Sequence, residues 1–350
     1  MASDAARAPW RCGVASSAGA TIVAARLGSR RNKPVSPLKS ARYALEAGFI
    51  ACVAGMLLLV PRRAVMWLAR GFGWVIYLIR PEDRRVARAN LDIVLGDRVS
   101  PAEKARMARR AIQRVTMNVF GLLWAPRLTL RRIEKLVDFG NLEECVRRAD
   151  AGGRGVIMLT SHYGDWEMLC LASAAKGIGL NMVTEPPPNP LTGRLIDRMR
   201  RATGNRTLPP RFAVLKLFRA LRAGERVGLM VDVNGRRGRG GVWLDFFGLP
   251  VFNGSAAAEL ALRTGAAIVF GAGHPLPGGR IRITMRHVEF APAGNREVDV
   301  KALSQKFVDC CRDLILEDPA PWLWTYKRWK RRPTEEQGRF PFYSRYARVE

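Results

Sequence analysis

Seven consecutive residues carry the most legible chemistry in this chain: Ser161-His162-Tyr163-Gly164-Asp165-Trp166-Glu167. His162 and Glu167 stand at the spacing H-x-x-x-x-E. With His162 in a turn and Glu167 in the first turns of a helix, the carboxylate can curl back and hold one ring N–H. That contact fixes the tautomer and stabilises the imidazolium. The other ring nitrogen is then free to take a proton from a hydroxyl. This is the histidine–carboxylate half of a triad, with the substrate supplying the nucleophile. The spacing alone suits a surface histidine capping a helix at least as well. Context favours chemistry: this histidine stands at a strand-to-helix turn beside an indole, and the chain has just two others, His274 and His287. So few histidines do not make a His-rich metal site, and no metal or cofactor is expected.

Other polar groups are candidates to bind substrate. Val227–Val233 reads as a buried strand with Asp232 emerging at its C-terminal edge, where α/β sheets often carry site residues; a structural role fits Asp232 equally. Residues 194–222 hold nine Lys or Arg against one acid, Asp197. Arg194, Arg198 and Arg206 of this segment suit a phosphate or an acidic protein, because the guanidinium fork binds oxyanions bidentately. A solvated helix face is the plain alternative. Arg236, Arg237 and Arg239 lie in a glycine-rich loop that fits either a phosphate clamp or a mobile turn, and no Gly-Lys-Ser/Thr follows to make a P-loop. The Trp322–Lys330 segment interleaves aromatics with cations and suits core packing or a lipid interface.

The elements that must position these groups alternate. Short apolar strands are predicted at 155–160, 180–184, 227–233 and 267–270, separated by helices at 165–176, 190–202, 213–223 and 255–264, with a late helix at 302–317. That alternation predicts an α/β fold with a mixed sheet flanked by helices. Residues 81–150 read as helical. Ser100-Pro101 has the logic of a helix start, and apolar residues at 107, 111, 115, 119 and 122 recur at helical spacing. Residues 47–60 form a 14-residue uncharged apolar run closed by Pro61-Arg62-Arg63, and a second apolar stretch covers 64–79. Fourteen residues are short of the roughly 20 that a span needs, so a membrane-inserted or interfacial helical hairpin is expected, with a buried N-terminal helix pair of a soluble domain as the alternative. Residues 1–40 are acid-poor and read as disordered. The expected division is a basic extension at 1–40, a membrane-associated helical segment at 41–80, a catalytic domain at 81–335 and a tail at 336–350.

Composition narrows the partners. The 350 residues carry a formal charge of +28, with 48% hydrophobic content and nine Trp, which excludes a disordered basic tail. The excess spreads along the chain, with +10 in residues 1–80 and +9 in residues 151–300. Six scattered cysteines without a C-x-x-C pair point to a reducing compartment rather than a disulfide framework. The basic excess points to a polyanion. Nucleic acid is disfavoured by the apolar run and the lack of any helix-turn-helix or RNA-binding motif.

Taken in order, the motifs resemble those of the bacterial lipid A biosynthesis acyltransferases, the lauroyl/myristoyl transferases of the lysophospholipid acyltransferase-like superfamily. The similarity covers about 44–335. It runs through Asn90-Leu91, the Ser161–Glu167 block, Asn189-Pro190-Leu191 before an Arg-rich helix, Gly228–Asp232, Phe246-Phe247-Gly248, Gly254 leading to Leu260–Ala266, and Pro321–Lys330. The resemblance implies a glycerolipid acyltransferase-like fold. It implies transfer of an acyl chain from an acyl carrier protein thioester to a hydroxyl of a lipid A precursor, at the cytoplasmic face of a bacterial inner membrane. His162 would be the general base and Glu167 its orienting partner, with no acyl-enzyme. Asn189, Arg194, Arg198, Arg206, Asp232 and Asn234 would contact substrate. Two departures stand out. Glu185 occupies the slot where the family usually has Arg before proline, leaving Arg206 or an arginine of the 194–201 helix to substitute. The usual Asp-Gln pair reads Asp232-Val233-Asn234. A lysophospholipid or other glycolipid acceptor, or acyl-CoA as donor, is the alternative.

Overall fold

The N-terminal apolar run proves to be part of a longer helix. A computed structural model describes residues 36–210, 212–235, 240–333 and 339–346. In it α1 spans Pro37–Leu59, because Ser36 Oγ accepts from Lys39 N and Pro37 occupies the first helical turn. Residues 37–40, expected to be disordered, are therefore helical, and residues 1–35 lie outside the described part. At 23 residues α1 is long and apolar enough to cross a membrane. Only Ala54 and Leu57 of α1 are buried, while Leu38, Leu45, Phe49, Met56 and Leu59 are exposed. Helix α2 (Arg62–Ile79) leaves α1 at Pro61.

α2 packs along α4 (Pro101–Leu123), whereas α1 lies against α8 (Pro190–Arg200), so the expected hairpin is instead a pair of diverging helices. Gly73 makes the α2–α4 contact possible, since a Cβ there would stand 2.6 Å from the Gln113 Cα. Between them runs α3 (Pro81–Leu95). Ser100 caps α4 as expected, its Oγ accepting from Glu103 N. The buried face of α4 is Ala108, Ala111, Ile112, Thr116, Asn118 and Leu122, and Val119 is turned outward. Helical spacing alone put Val119 inside. Of the other four positions at that spacing, Ala111 and Leu122 are buried and Met107 and Val115 half-buried.

After α5 (Leu130–Leu136), β1 (Val137–Asp138) and α6 (Leu142–Asp150), the alternation begins. It runs β2 (Val156–Thr160), α7 (Trp166–Ala175), β3 (Asn181–Val183), α8, β4 (Arg206–Leu208), α9 (Ala213–Arg222) and β5 (Arg226–Met230). A β6–β7 hairpin (Val242–Phe246, Leu249–Asn253) follows, then α10 (Ala256–Thr264), β8 (Ala267–Pro275), β9 (Ile281–His287) and α11 (Arg296–Glu317). Short β10 (Arg331–Arg332) and β11 (Arg345–Tyr346) pair with each other, so part of the C-terminal tail is held to the domain. The main sheet has the order β1-β9-β8-β2-β5-β3-β4. Its pairs are parallel except β8 with β9, which makes the sheet mixed, as expected.

β2 is buried at every position, the signature of a central parallel strand covered on both faces. Its side chains divide by parity. Ile157 and Leu159 join a core with α3, α9, α10 and α11, whereas Val156 and Met158 join one with α6, α7 and α8. β9 was not anticipated. It alternates Ile281, Ile283 and Met285 inward with exposed residues between, which is how a strand with one solvated face reads.

Candidate active site

Strand register brings His162 and Asp232 together. β2 and β5 pair in parallel with Thr160 opposite Met230, so His162 and Asp232 each emerge two residues beyond the last paired position. The turn after Thr160 is tight. Gly164 adopts φ +60°, and a Cβ there would lie 1.9 Å from the Gly273 carbonyl oxygen, so glycine is required. Asp165 then caps α7 by accepting from Met168 N at 3.0 Å. The C-terminal segment laces the turn in place: Leu323 N donates to His162 O (3.0 Å), and Gly164 N donates to Pro321 O (3.1 Å). That segment is held in turn by buried Asn90, whose Nδ2 donates to the carbonyls of Trp324 (2.7 Å) and Tyr326 (2.8 Å).

The partner of the imidazole is Asp232. His162 Nδ1 lies 2.9 Å from Asp232 Oδ1, and the His162 backbone N–H donates to Oδ2 at 2.8 Å. Trp322, 1% exposed, donates Nε1 to the same Oδ2 at 3.1 Å. Asp232 is 3% exposed. Burial on its own would raise its pKa, but the His162 charge and these donors outweigh it and hold the carboxyl below its ordinary value. Burial likewise pulls His162 down. The Asp232 charge and hydrogen bond, aided by the Glu167 charge, overcome that pull and leave the imidazole above its usual range. A buried carboxylate on Nδ1 places the neutral ring's proton there and leaves Nε2 as the basic nitrogen. Among the described residues no hydrogen bond engages Nε2.

The expected bond from Glu167 to the imidazole is therefore not the one formed. Glu167 takes Arg200 instead, accepting from Nη2 at 2.5 Å and from Nε at 3.1 and 3.2 Å. Starting α7 directly after Asp165 turns Glu167 toward α8, and the fork of Arg200 matches its two oxygens.

His162, Trp166, Glu167 and Arg200 border a cavity of about 490 Å³. Its remaining wall is largely apolar: Met158, Leu169, Leu180, Met182, Leu229 and Met285 among others. This combination of apolar walls and a few convergent polar groups is that of a ligand pocket. Two nucleophile types also line it. Burial, and then the Glu167 charge, push the Cys170 thiol up to about 12, so it is not ionised near neutrality. Ser173 donates its hydroxyl to Leu169 O at 2.8 Å. Neither is activated by the His162–Asp232 pair.

The other sequence-picked residues are dispersed. Asn189 is 1% exposed and caps α8 by accepting from Leu191 N, while its Nδ2 donates to Tyr43 O of α1. Asn234 donates to Lys327 O (3.0 Å) and accepts from Arg328. Both hold backbone and are not among the cavity's lining residues. Arg194 and Arg198 are exposed on α8, and Arg206 pairs with Glu225 at 3.3 Å. Of the basic segment, Arg200 is the residue brought to the cavity, which also has exposed Glu185 at its border. The glycine-rich loop arginines 236, 237 and 239 lie outside the described residues, as does Arg211. Trp322 was legible only as part of an aromatic cluster, and no local spacing announced its bond to Asp232, 90 residues away.

Compared with curated proteins, the chain has no match. A family model does match, that of bacterial lipid A biosynthesis acyltransferase, over residues 36–331. The matched range includes α1, the sheet with His162 and Asp232 at its edge, and the Trp322–Lys330 segment that holds them. The chain belongs to the bacterial lipid A biosynthesis acyltransferase family.

Proposed function

We propose that this acyltransferase moves a fatty acyl chain from an acyl carrier protein thioester to a hydroxyl of a lipid A precursor, at the cytoplasmic face of the inner membrane. The observation that carries the reading is the His162–Asp232 pair at the border of an apolar cavity. The acyl chain occupies the cavity with its thioester carbonyl near Nε2. The acceptor hydroxyl attacks that carbon while Nε2 takes its proton, and Asp232 stabilises the imidazolium. Arg200 uses Nε and Nη2 on Glu167, and we assign its Nη1 as a donor to the oxyanion. The tetrahedral intermediate collapses, the C–S bond breaks, and the carrier thiolate recovers the proton from His162. Glu167 acts by holding Arg200 and by adding its charge to the imidazole. A protonated Cys170 and a committed Ser173 support direct transfer without an acyl-enzyme. The anionic membrane and the acidic carrier account for the +28 charge.

Incubating the purified protein with acyl carrier thioester and a lipid A precursor, and weighing the lipid by mass spectrometry, tests this. The acylated product is expected from the wild type and not from His162→Ala. Full activity in the variant refutes the mechanism. Glu185 at the cavity border supports a second reading, in which a lysophospholipid or another glycolipid is the acceptor or acyl-CoA the donor; acylation of those substrates alone would select it.

A further inference from the structure

Helix α9 buries one face and leaves the other with an unusual composition. Ala213, Leu217 and Leu221 point into the core, against α10 and β5. Outward stand Phe212 (62% exposed), Val214 (52%) and Leu215 (50%), followed by exposed Lys216, Arg219 and Arg222. The helix contains no acidic residue. Scattered exposed apolar side chains are ordinary on a protein surface. Leu215 shares the outward helical face with the three cations, and with Phe212 just before the helix and Val214 at its flank it gives the mix of apolar and basic groups that suits a membrane interface.

The position of this face matters more than its composition. β4 ends at Leu208, whose carbonyl accepts from Thr184 N at 3.1 Å, and Thr184 and Glu185 border the active-site cavity. Phe212 follows four residues later and α9 contacts β3, so the apolar start of α9 lies close to the sheet edge that carries Thr184 and Glu185. On the other face of the sheet, α8 is tied by Asn189 to Tyr43, within the exposed apolar stretch of α1 that includes Leu45 and Phe49. Apolar groups from two elements thus flank one edge from opposite faces, and α8 adds exposed Arg194 and Arg198.

We propose that the Phe212–Arg222 face is a second membrane-contact surface: it seats in an anionic leaflet and, with α1, turns the cavity toward the lipid. Charge complementarity, with three exposed cations and no acid on α9, selects an anionic bilayer as occupant. The inference rests on the reading of this enzyme as one that acts on membrane lipid, but its test needs no turnover.

Hydrogen exchange of the full chain is followed with vesicles of phosphatidylcholine and phosphatidylglycerol, with phosphatidylcholine alone, and with acyl carrier protein. Amides of 213–222 are expected to slow with the anionic vesicles and much less with neutral ones. Replacing Lys216, Arg219 and Arg222 together by Gln should weaken partition to the anionic vesicles roughly 100-fold at low salt. Phe212→Ser with Val214→Ser and Leu215→Ser should weaken it as well, with circular dichroism unchanged. Unchanged exchange in α9 while α1 is protected overturns the proposal. So does partition within twofold of wild type, or protection by the carrier protein alone. Slowed exchange without acylation of any lipid would leave the membrane surface standing and remove the catalytic reading.

Discussion

Two cavities of nearly equal volume, about 490 and 480 Å³, share the loop that follows β5. Val233 lines the first, and Asn234 and Gly235 line the second. The second is walled by charge, and most of that charge is already committed: Arg80 to Asp83 at 3.1 Å, Lys327 to Glu82 at 2.5 Å, and Arg331 to the Gly235 carbonyl at 2.7 Å. The first has few charged groups, yet it has an imidazole with a buried carboxylate on one nitrogen and, among the described residues, no hydrogen bond on the other. Volume and polarity therefore do not mark the site. What distinguishes the proposed site is an imidazole oriented by a buried carboxylate beside a largely apolar cavity.

The strongest way to break this contrast is Asp232→Asn. Asparagine keeps the shape but removes the charge that stabilises the imidazolium and favours the wrong tautomer, so kcat should fall roughly 10³–10⁴-fold. The pH profile moves too. In the wild type Asp232 holds the imidazole above its ordinary value, so the rate should rise with pH through a limb above about 6.5. With that anion gone, burial dominates and the limb should shift to lower pH. An unshifted limb would mean that another group is the base.

A gentler probe addresses the apolar wall. A Cβ on Gly228 would stand 3.2 Å from both Leu180 Cδ1 and Met182 Cγ, so Gly228→Ala takes space from the cavity at the cost of a small shift. Competition between acyl donors of different length should then favour shorter chains, by about fourfold for each methylene displaced. The smallest catalytic effect is expected at the polar cavity. Asn234→Ala loses the bonds to Lys327 O and Arg328, which should lower stability by about 1–3 kcal/mol in denaturant titration while kcat stays within roughly tenfold.

The sequence made the alternating core of this fold legible because parallel strands buried on both faces are continuous apolar runs, as at 156–160. β9 and the β6–β7 hairpin escaped because attention to such runs passes over strands that alternate. α11 begins at Arg296, well before the apolar stretch that announced it, because Asn295 caps it and its first turns are polar. At the site, His162 was legible from its turn and Asp232 from its place at a strand end. Their pairing was not. The near-neighbour Glu167 is the obvious partner in one dimension, but the β2–β5 register makes Asp232 the neighbour in space. Arg200 was one of nine basic residues in its segment, and helical phase decides that it, rather than Arg194 or Arg198, reaches the cavity.

The central claim is that His162 and Asp232 act as one unit. A double-mutant cycle on kcat tests it directly, comparing His162→Ala, Asp232→Asn and the two combined. If Asp232 works through the imidazole, the double variant should be no slower than His162→Ala alone. Losses that multiply would show Asp232 acting independently of His162 and would contradict the account.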